Sequence, residues 1–194
     1  MNRKILPDDI ISSREYSKKR KEKRLEISQI KKYRRINIGP YITLYFENFH
    51  TMVYQIQEML LVEKGDKDQM LEEIESYNSL VPLGNELIAT LMIEIDNPVK
   101  RNLELRKITG IENNVKIIIE NEVVEANPCD EENRTKEDGK TSSVHFIKFS
   151  FDDKCTNDFL DVSNKVSLFI DHPKYSHATD LLGDYRKALG DDLT

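Results

Sequence analysis

An α+β fold, with a mainly antiparallel sheet packed against several helices behind a long basic N-terminal helix, is predicted by three features. Leu87–Ile95 and Val144–Phe151 alternate between two kinds of side chain, as strands do. Phe49, Met52, Val53, Ile56, Met59 and Leu60 recur at helical spacing. The two kinds of run are mixed without a strict βαβ rhythm, which favours antiparallel pairing over a doubly wound parallel sheet.

At the start of the chain, Pro7-Asp8-Asp9 has the chemistry of a helix start, because Pro suits the first turn and acids complement the dipole. Ser12 and Glu15 supply a second start, a capping box. From Ser12 to Arg24 the one large apolar residue is Tyr16, so this half of the helix is expected in water. Leu25, Ile27, Ile30 and Tyr33 then form a face that can dock. Arg34–Ile38 and Tyr41–Glu47 read as strands around Gly39-Pro40.

Asn48 is an N-cap and Gly65 a stop for the helix between them, which is apolar on so many sides that it must be mostly buried. Asp66 to Gln69 opens a shorter helix that ends near Asn78. The strand over Leu87–Ile95 is buried on one face, and Glu94 lies on the less apolar one. A helix over Pro98–Ile108 stops at Thr109-Gly110. Strands follow at Val115–Ile119 and Glu122–Val124, then a long polar loop over 127–141. Val144–Phe151 and Lys165–Ile170 are strands around a helical segment near Asp158–Asp161. A last helix is expected from Ser176 to Leu189, with Pro173 able to start it and Gly190 to end it. The chain reads as one domain over 1–194, a basic helix over 1–33 and an α+β body over 34–194.

Composition narrows the function classes. Of 194 residues, 38% are hydrophobic and 33% charged, a balance suited to long solvated helices. No stretch approaches the roughly 20 apolar residues that span a bilayer, and the first residues lack the apolar region of a secretory signal. A soluble, cytoplasmic protein without a membrane partner is expected. Cys129, in the polar loop, and Cys155 form no ligand pair, and a disulfide is not expected in a reducing compartment. Residues 1–35 hold 13 Lys/Arg against 5 Asp/Glu, whereas the rest of the chain is strongly acidic. Such a basic arm suits nucleic acid, an anionic surface or the protein's own acidic body. Acids interrupt the run and aromatic interleaving is almost nil, which argues against base readout and makes nucleic acid the weakest of these partners.

Nucleotide-loop, zinc-protease and serine-hydrolase motifs are absent. Glu47 and His50 have the Glu-x-x-His spacing of carboxylate-bridged metal sites. On the following helix Glu63 falls on the Met52/Ile56 face and Glu58 on the opposite one, so burial on both sides would force a carboxylate inside. A buried acid needs a cation, a metal or a proton, and Arg34 or Arg35 could supply the cation. His145 heads the apolar row Ile147, Phe149, Phe151, and His172 ends a strand before Pro173, which holds it extended. With Glu94 they form a third set. His177 is expected to be exposed on the last helix.

Seven segments together resemble an uncharacterised bacterial family, domain of unknown function 3501. They are Arg34-Arg35 through Gly39-Pro40, Phe46–Asn48, Gln55–Met59, Tyr77–Pro82, Ala89–Ile95, Val144–Phe146 and Asp171–Tyr175. The order spans nearly the whole chain. The resemblance implies a small cytosolic protein in an oxidative-stress or electron-transfer setting, encoded beside rubrerythrin-like and iron–sulfur proteins that would be its redox partners. The recurring polar positions of the family match Glu47, Asn48, Glu58, Glu94, His145, Asp171 and His172. A basic residue stands in the family pattern where this chain has His50, which moves weight to the strand-borne set.

The expectation is therefore an accessory protein that binds a metal ion or small ligand. Glu47, Glu58, Glu94, His145 and His172 are the candidate metal ligands, and Arg34, Arg35, Asn48 and Asp171 the candidate ligand contacts. Mixed carboxylate and imidazole donors favour iron, manganese or zinc. Alternatives are a non-catalytic module docking through its basic helix and a binder of anionic polymers. A homo-oligomer stays open, as does catalysis.

Overall fold

The computed structural model describes residues 4–129 and 139–193. After a short 3-10 turn at Pro7–Asp9, helix α1 (Ser13–Lys32) starts where Ser12 caps the backbone N–H of Glu15. Two strands follow, β1 (Arg35–Ile38) and β2 (Ile42–Phe46), joined through Gly39 in the left-handed region, with φ at +75°. Asn48 caps α2 (Phe49–Glu63), and Asp66 caps α3 (Lys67–Asn78) by accepting from the N–H groups of Asp68 and Gln69. The remaining elements are β3 (Glu86–Ile93), α4 (Pro98–Lys107), β4 (Val115–Ile119), β5 (Glu122–Pro128), β6 (Val144–Ser150), α5 (Asp153–Leu160), β7 (Val166–His172), β8 (Tyr175–Asp180) and α6 (Gly183–Gly190).

All eight strands form one antiparallel sheet in the order β1-β2-β3-β6-β5-β4-β7-β8. It curls until β1 and β8 approach each other, nearly a barrel. Side chains bridge this seam: Thr179 Oγ1 donates to the Asn37 carbonyl at 2.8 Å and Tyr175 reaches the β1–β2 turn. The predicted α+β class with its antiparallel sheet and N-terminal helix is what the chain adopts.

Strand alternation gives the sheet two apolar faces. Inward residues such as Ile38, Leu44, Leu87, Leu91, Phe149 and Leu168 fill the barrel. Leu105, Ile108 and Ile111 close the end near the start of β6, while Phe159, Leu189 and Leu193 close the other. Outward Ile88 and Phe146 meet Met52, Ile56 and Leu60 of α2, with Ile74 of α3, in a second, smaller core. Met52, Ile56 and Leu60 thus face the sheet, as their spacing required.

Helix α1 lies on α2. The Tyr16 ring is buried, and its hydroxyl donates to Glu58 Oε1 at 2.7 Å. Arg20 grips the same carboxylate with Nε at 3.0 Å and Nη2 at 2.7 Å. This fork outweighs the exposed Lys19–Glu15 pair on the same helix, since open surface pairs contribute about 0–1 kcal/mol.

Four expectations are corrected. Ser176–Asp180 is not helix but strand β8, because its ladder to β7, with Ile170 opposite His177, satisfies a backbone that a helix would satisfy locally. Pro173-Lys174 is the hairpin turn, so Pro173 starts no helix and His177 sits on a strand against Tyr175. Leu25 does not dock; it is 63% exposed, and Tyr16 and Ile27 are the buried residues of α1. The polar loop begins later than expected, because β5 runs through Pro128 and the Cys129 N–H donates to the Phe146 carbonyl. Residues 130–138 of that loop lie outside the described residues.

Candidate functional site

Between α2 and the outward face of β2 and β3 runs a cleft of about 450 Å³, within the range of small-molecule sites. Its sheet wall comes from Tyr45, Thr90, Met92 and Phe146. Met52 and Gln55 of α2 form the opposite wall, with Tyr77 and Leu80 at one end and Lys31 and Arg34 at the other. Two of the predicted carboxylates, Glu47 and Glu94, line it.

Glu47 follows the last residue of β2 and precedes the N-cap of α2, so the strand-to-helix turn points it under the helix. It is only 9% exposed. Thr90 Oγ1 of β3 donates to one carboxylate oxygen at 2.8 Å, and Thr51 Oγ1 of α2 donates to the other at 2.7 Å. The Thr51 hydroxyl is itself held by the Asn48 N–H at 2.9 Å. Among the described residues no Lys, Arg or His forms an ion pair with Glu47. The carboxylate is thus aimed by neutral hydroxyls and its charge is not matched.

Glu94 is different. Burial works against its charge, but hydrogen bonds from Thr43 Oγ1 (2.5 Å) and Tyr45 Oη (2.9 Å), with the Arg35 charge, hold its carboxyl below the usual range. The Arg35 guanidinium is 3.4 Å away and half exposed. Burial and the Glu94 carboxylate in turn push the Tyr45 hydroxyl up. Arg34 borders the cleft with its charge already used, forked onto Asp192 at 2.6 and 2.9 Å and donating to the Ala188 carbonyl at 2.7 Å.

The other candidates sit elsewhere. Glu58 belongs to the α1 clamp, and Arg20 beside it holds its carboxyl below the usual range. Burial first, then the Glu58 hydrogen bond, pushes the Tyr16 hydroxyl well up. Glu63 is exposed and bonded to Gln69, and His50 is exposed while Glu47 is buried, so their spacing brings no pair together. His145 faces the barrel interior, as its row required. Its Nε2 lies 3.0 Å from the Ser142 carbonyl and 3.1 Å from Thr141 Oγ1, with Glu112 Oε2 at 3.7 Å from Nδ1. His172 spends both nitrogens on backbone, reaching the Thr109 carbonyl at 3.2 Å and accepting from the Lys174 N–H at 3.1 Å. Asp171 pairs with Lys116 at 2.9 Å on the β4–β7 side of the sheet. Asn48 caps α2 and reaches the cleft only through Thr51.

Iron, manganese or zinc on Glu47, Glu58, Glu94, His145 and His172 therefore does not fit this geometry. Two of the five share the cleft, and among the described residues no three His, Cys, Asp or Glu side chains group as a metal site. Cys155 does not offer a poised nucleophile either, because burial and the Asp152 carboxylate push its thiol up. Thr51 and Lys31 went unnoticed in the sequence, and Thr90 was not singled out as a site residue. Only Thr90 left a trace there, as a hydroxyl on the less apolar row of a buried strand.

A family model described as "Protein of unknown function (DUF3501)" matches residues 4–193. The chain belongs to this family. Its fold is shared with a solved structure from Burkholderia pseudomallei K96243, described as a novel protein of unknown function. The two are 34% identical, with a TM-score of 0.89 over 98% of this chain and 99% of that one. No curated protein matches. Among the described residues no helix is long and apolar enough to cross a membrane.

Proposed function

We propose that this member of the DUF3501 family is a small-molecule-binding accessory protein whose site is the cleft between α2 and the outer face of β2–β3. One observation carries the reading. A 450 Å³ cleft with mostly apolar walls ends on a buried carboxylate, Glu47, that two hydroxyls hold in place without neutralising it. Apolar walls with a few fixed polar groups are the usual make-up of a ligand pocket. A second groove of about 450 Å³, between α5 and α6, lacks that feature. Its one buried charge, Arg186, is consumed by the carbonyls of Phe159 and Asp161. The redox setting implied by the family resemblance gives such a protein a place to act.

The test is a thermal-shift screen of metabolites against the wild type and Met92→Trp, which fills the cleft from the sheet side. A compound that raises the melting temperature of the wild type and not of the variant supports the reading. A screen in which every stabilising compound acts equally on both proteins refutes it.

A docking role for α1 is the second reading, favoured by one observation. Arg14, Lys18 and Lys21 are exposed at successive turns of its outer face, away from the Tyr16/Arg20 side that holds the body. The double variant K18E/K21E is expected to lose co-elution with an acidic redox partner while the cleft keeps its ligand. Unchanged co-elution counts against this role.

A further inference from the structure

Resting on the cleft as a ligand site, we infer that its ligand is an organic cation, an ammonium or amidinium group on an apolar body, with the charge seated on Glu47. Burying a carboxylate away from water is unfavourable unless a cation or hydrogen bonds compensate. Here hydrogen bonds come from two neutral hydroxyls, and each carboxylate oxygen has a further lone pair. A ligand N–H donor of positive charge would supply the missing partner with the stronger, charge-assisted kind of bond.

The neighbouring cations are engaged elsewhere. Arg34 is committed to Asp192, and Arg35 to Glu94. Lys31 instead lies over the Tyr54 ring, 5.3 Å from its centre. An anionic ligand would meet Glu47 unfavourably, and a neutral one would leave its charge unmatched.

The walls set the rest of the ligand. Met52, Met92, Leu80 and Phe146 suit a hydrocarbon body, and Tyr77 adds an aromatic ring of the kind that attracts cations. Arg35 already lies over the Tyr45 ring, 5.2 Å from its centre. Glu94 does not call for a second positive charge. It is more open than Glu47 and already has Arg35 beside it. The hydroxyls of Thr90 and Thr43, which hold the two carboxylates, stand two residues apart along the β2–β3 ladder, roughly 7 Å. A ligand with a single charge therefore seats at the buried end and extends its apolar part toward Glu94.

Hexylamine, hexanol and hexanoate separate the possibilities, because they share a chain and differ in charge. Hexylamine is expected to bind with Kd on the order of 1 mM and to displace any ligand found by the screen. Glu47→Gln keeps the shape and should weaken it by at least about tenfold. Circular dichroism and the melting temperature of the unliganded variant confirm that it folds. If hexanoate or hexanol binds as well as hexylamine, or E47Q binds hexylamine like the wild type, the cationic ligand is overturned while the cleft reading stands. The same holds if none of the three binds but the screen finds another compound that M92W blocks. If M92W blocks nothing, both readings fall.

Discussion

The Tyr175 hydroxyl donates to the Ile38 carbonyl at 2.6 Å, tying the last strand of the sheet to the first. The same oxygen accepts from the Ile42 N–H at 3.2 Å and, more weakly, the Tyr41 N–H at 3.4 Å. One phenol thus satisfies backbone groups at a turn where the ladder does not reach. Tyr175→Phe keeps the ring and removes all three bonds. It is expected to lower stability by about 1–3 kcal/mol, measured by urea denaturation. A change within a few tenths would show that water replaces the hydroxyl without cost.

Gly39 borders the same seam. Its φ of +75° disfavours any side chain, and a methyl group there would meet the His177 ring and the Tyr175 hydroxyl, each at 2.6 Å. Gly39→Ala is expected to cost more than the roughly 1 kcal/mol of the backbone term alone. Adding His177→Ala should recover part of the loss, the part due to the clash. No recovery would place the whole cost in the backbone.

The α1 clamp is a separate point of stability. Glu58→Ala removes the acceptor of the buried Tyr16 hydroxyl and is expected to cost about 1–3 kcal/mol. Faster amide exchange should be confined to α1 and the facing side of α2. Loss of protection in the barrel strands would contradict this division.

Acid should release that clamp. The folded-state pKa of Glu58 lies below its ordinary value of 4.5, so its contribution is fully present above 4.5 and is lost as pH falls below it. The stability difference between wild type and Glu58→Gln is expected to stay constant from neutral pH down to about 4.5 and then shrink. A difference that grows on acidification would have the wrong sign.

Histidines that serve the fold give a different signature from histidines that hold metal. His145→Ala should lose about 2–4 kcal/mol by opening a cavity in the barrel. His172→Ala should lose about 1–2 kcal/mol through its two backbone bonds. Chelation with EDTA is expected to leave the melting temperature of all three proteins unchanged. A chelator-induced drop in the wild type, absent from the variants, would restore the metal reading.

Much of the fold could be read from local chemistry. The Asn48 cap, the two-faced run Leu87–Ile95 and the inward row led by His145 each follow from period or capping alone, and each stands where it was expected. What failed depended on partners distant in sequence. Ser176-His177-Ala178-Thr179 has little strand propensity, and only β7 beside it makes it a strand. The partner of Glu58 is Arg20, 38 residues earlier, which no spacing rule indicates. The same limit applies to the site. Glu47 and Glu94 could be singled out as acids near strands, but Thr51 and Thr90, which make Glu47 an aimed group, converge only after α2 crosses β3.

The sheet carries a different apolar core on each of its faces, and this divides the molecule by tolerance to change. Substitutions on the helix-facing row, at Thr90, Met92 or Phe146, alter the cleft without entering the barrel, whereas their chain neighbours Ala89, Leu91 and Ile147 all point into it. The shape of the cleft can therefore change from the sheet side while the barrel core stays as it is. Ile88 and Phe146 of the same row also hold the second core, so the freedom lies mainly at the partly exposed Thr90 and Met92.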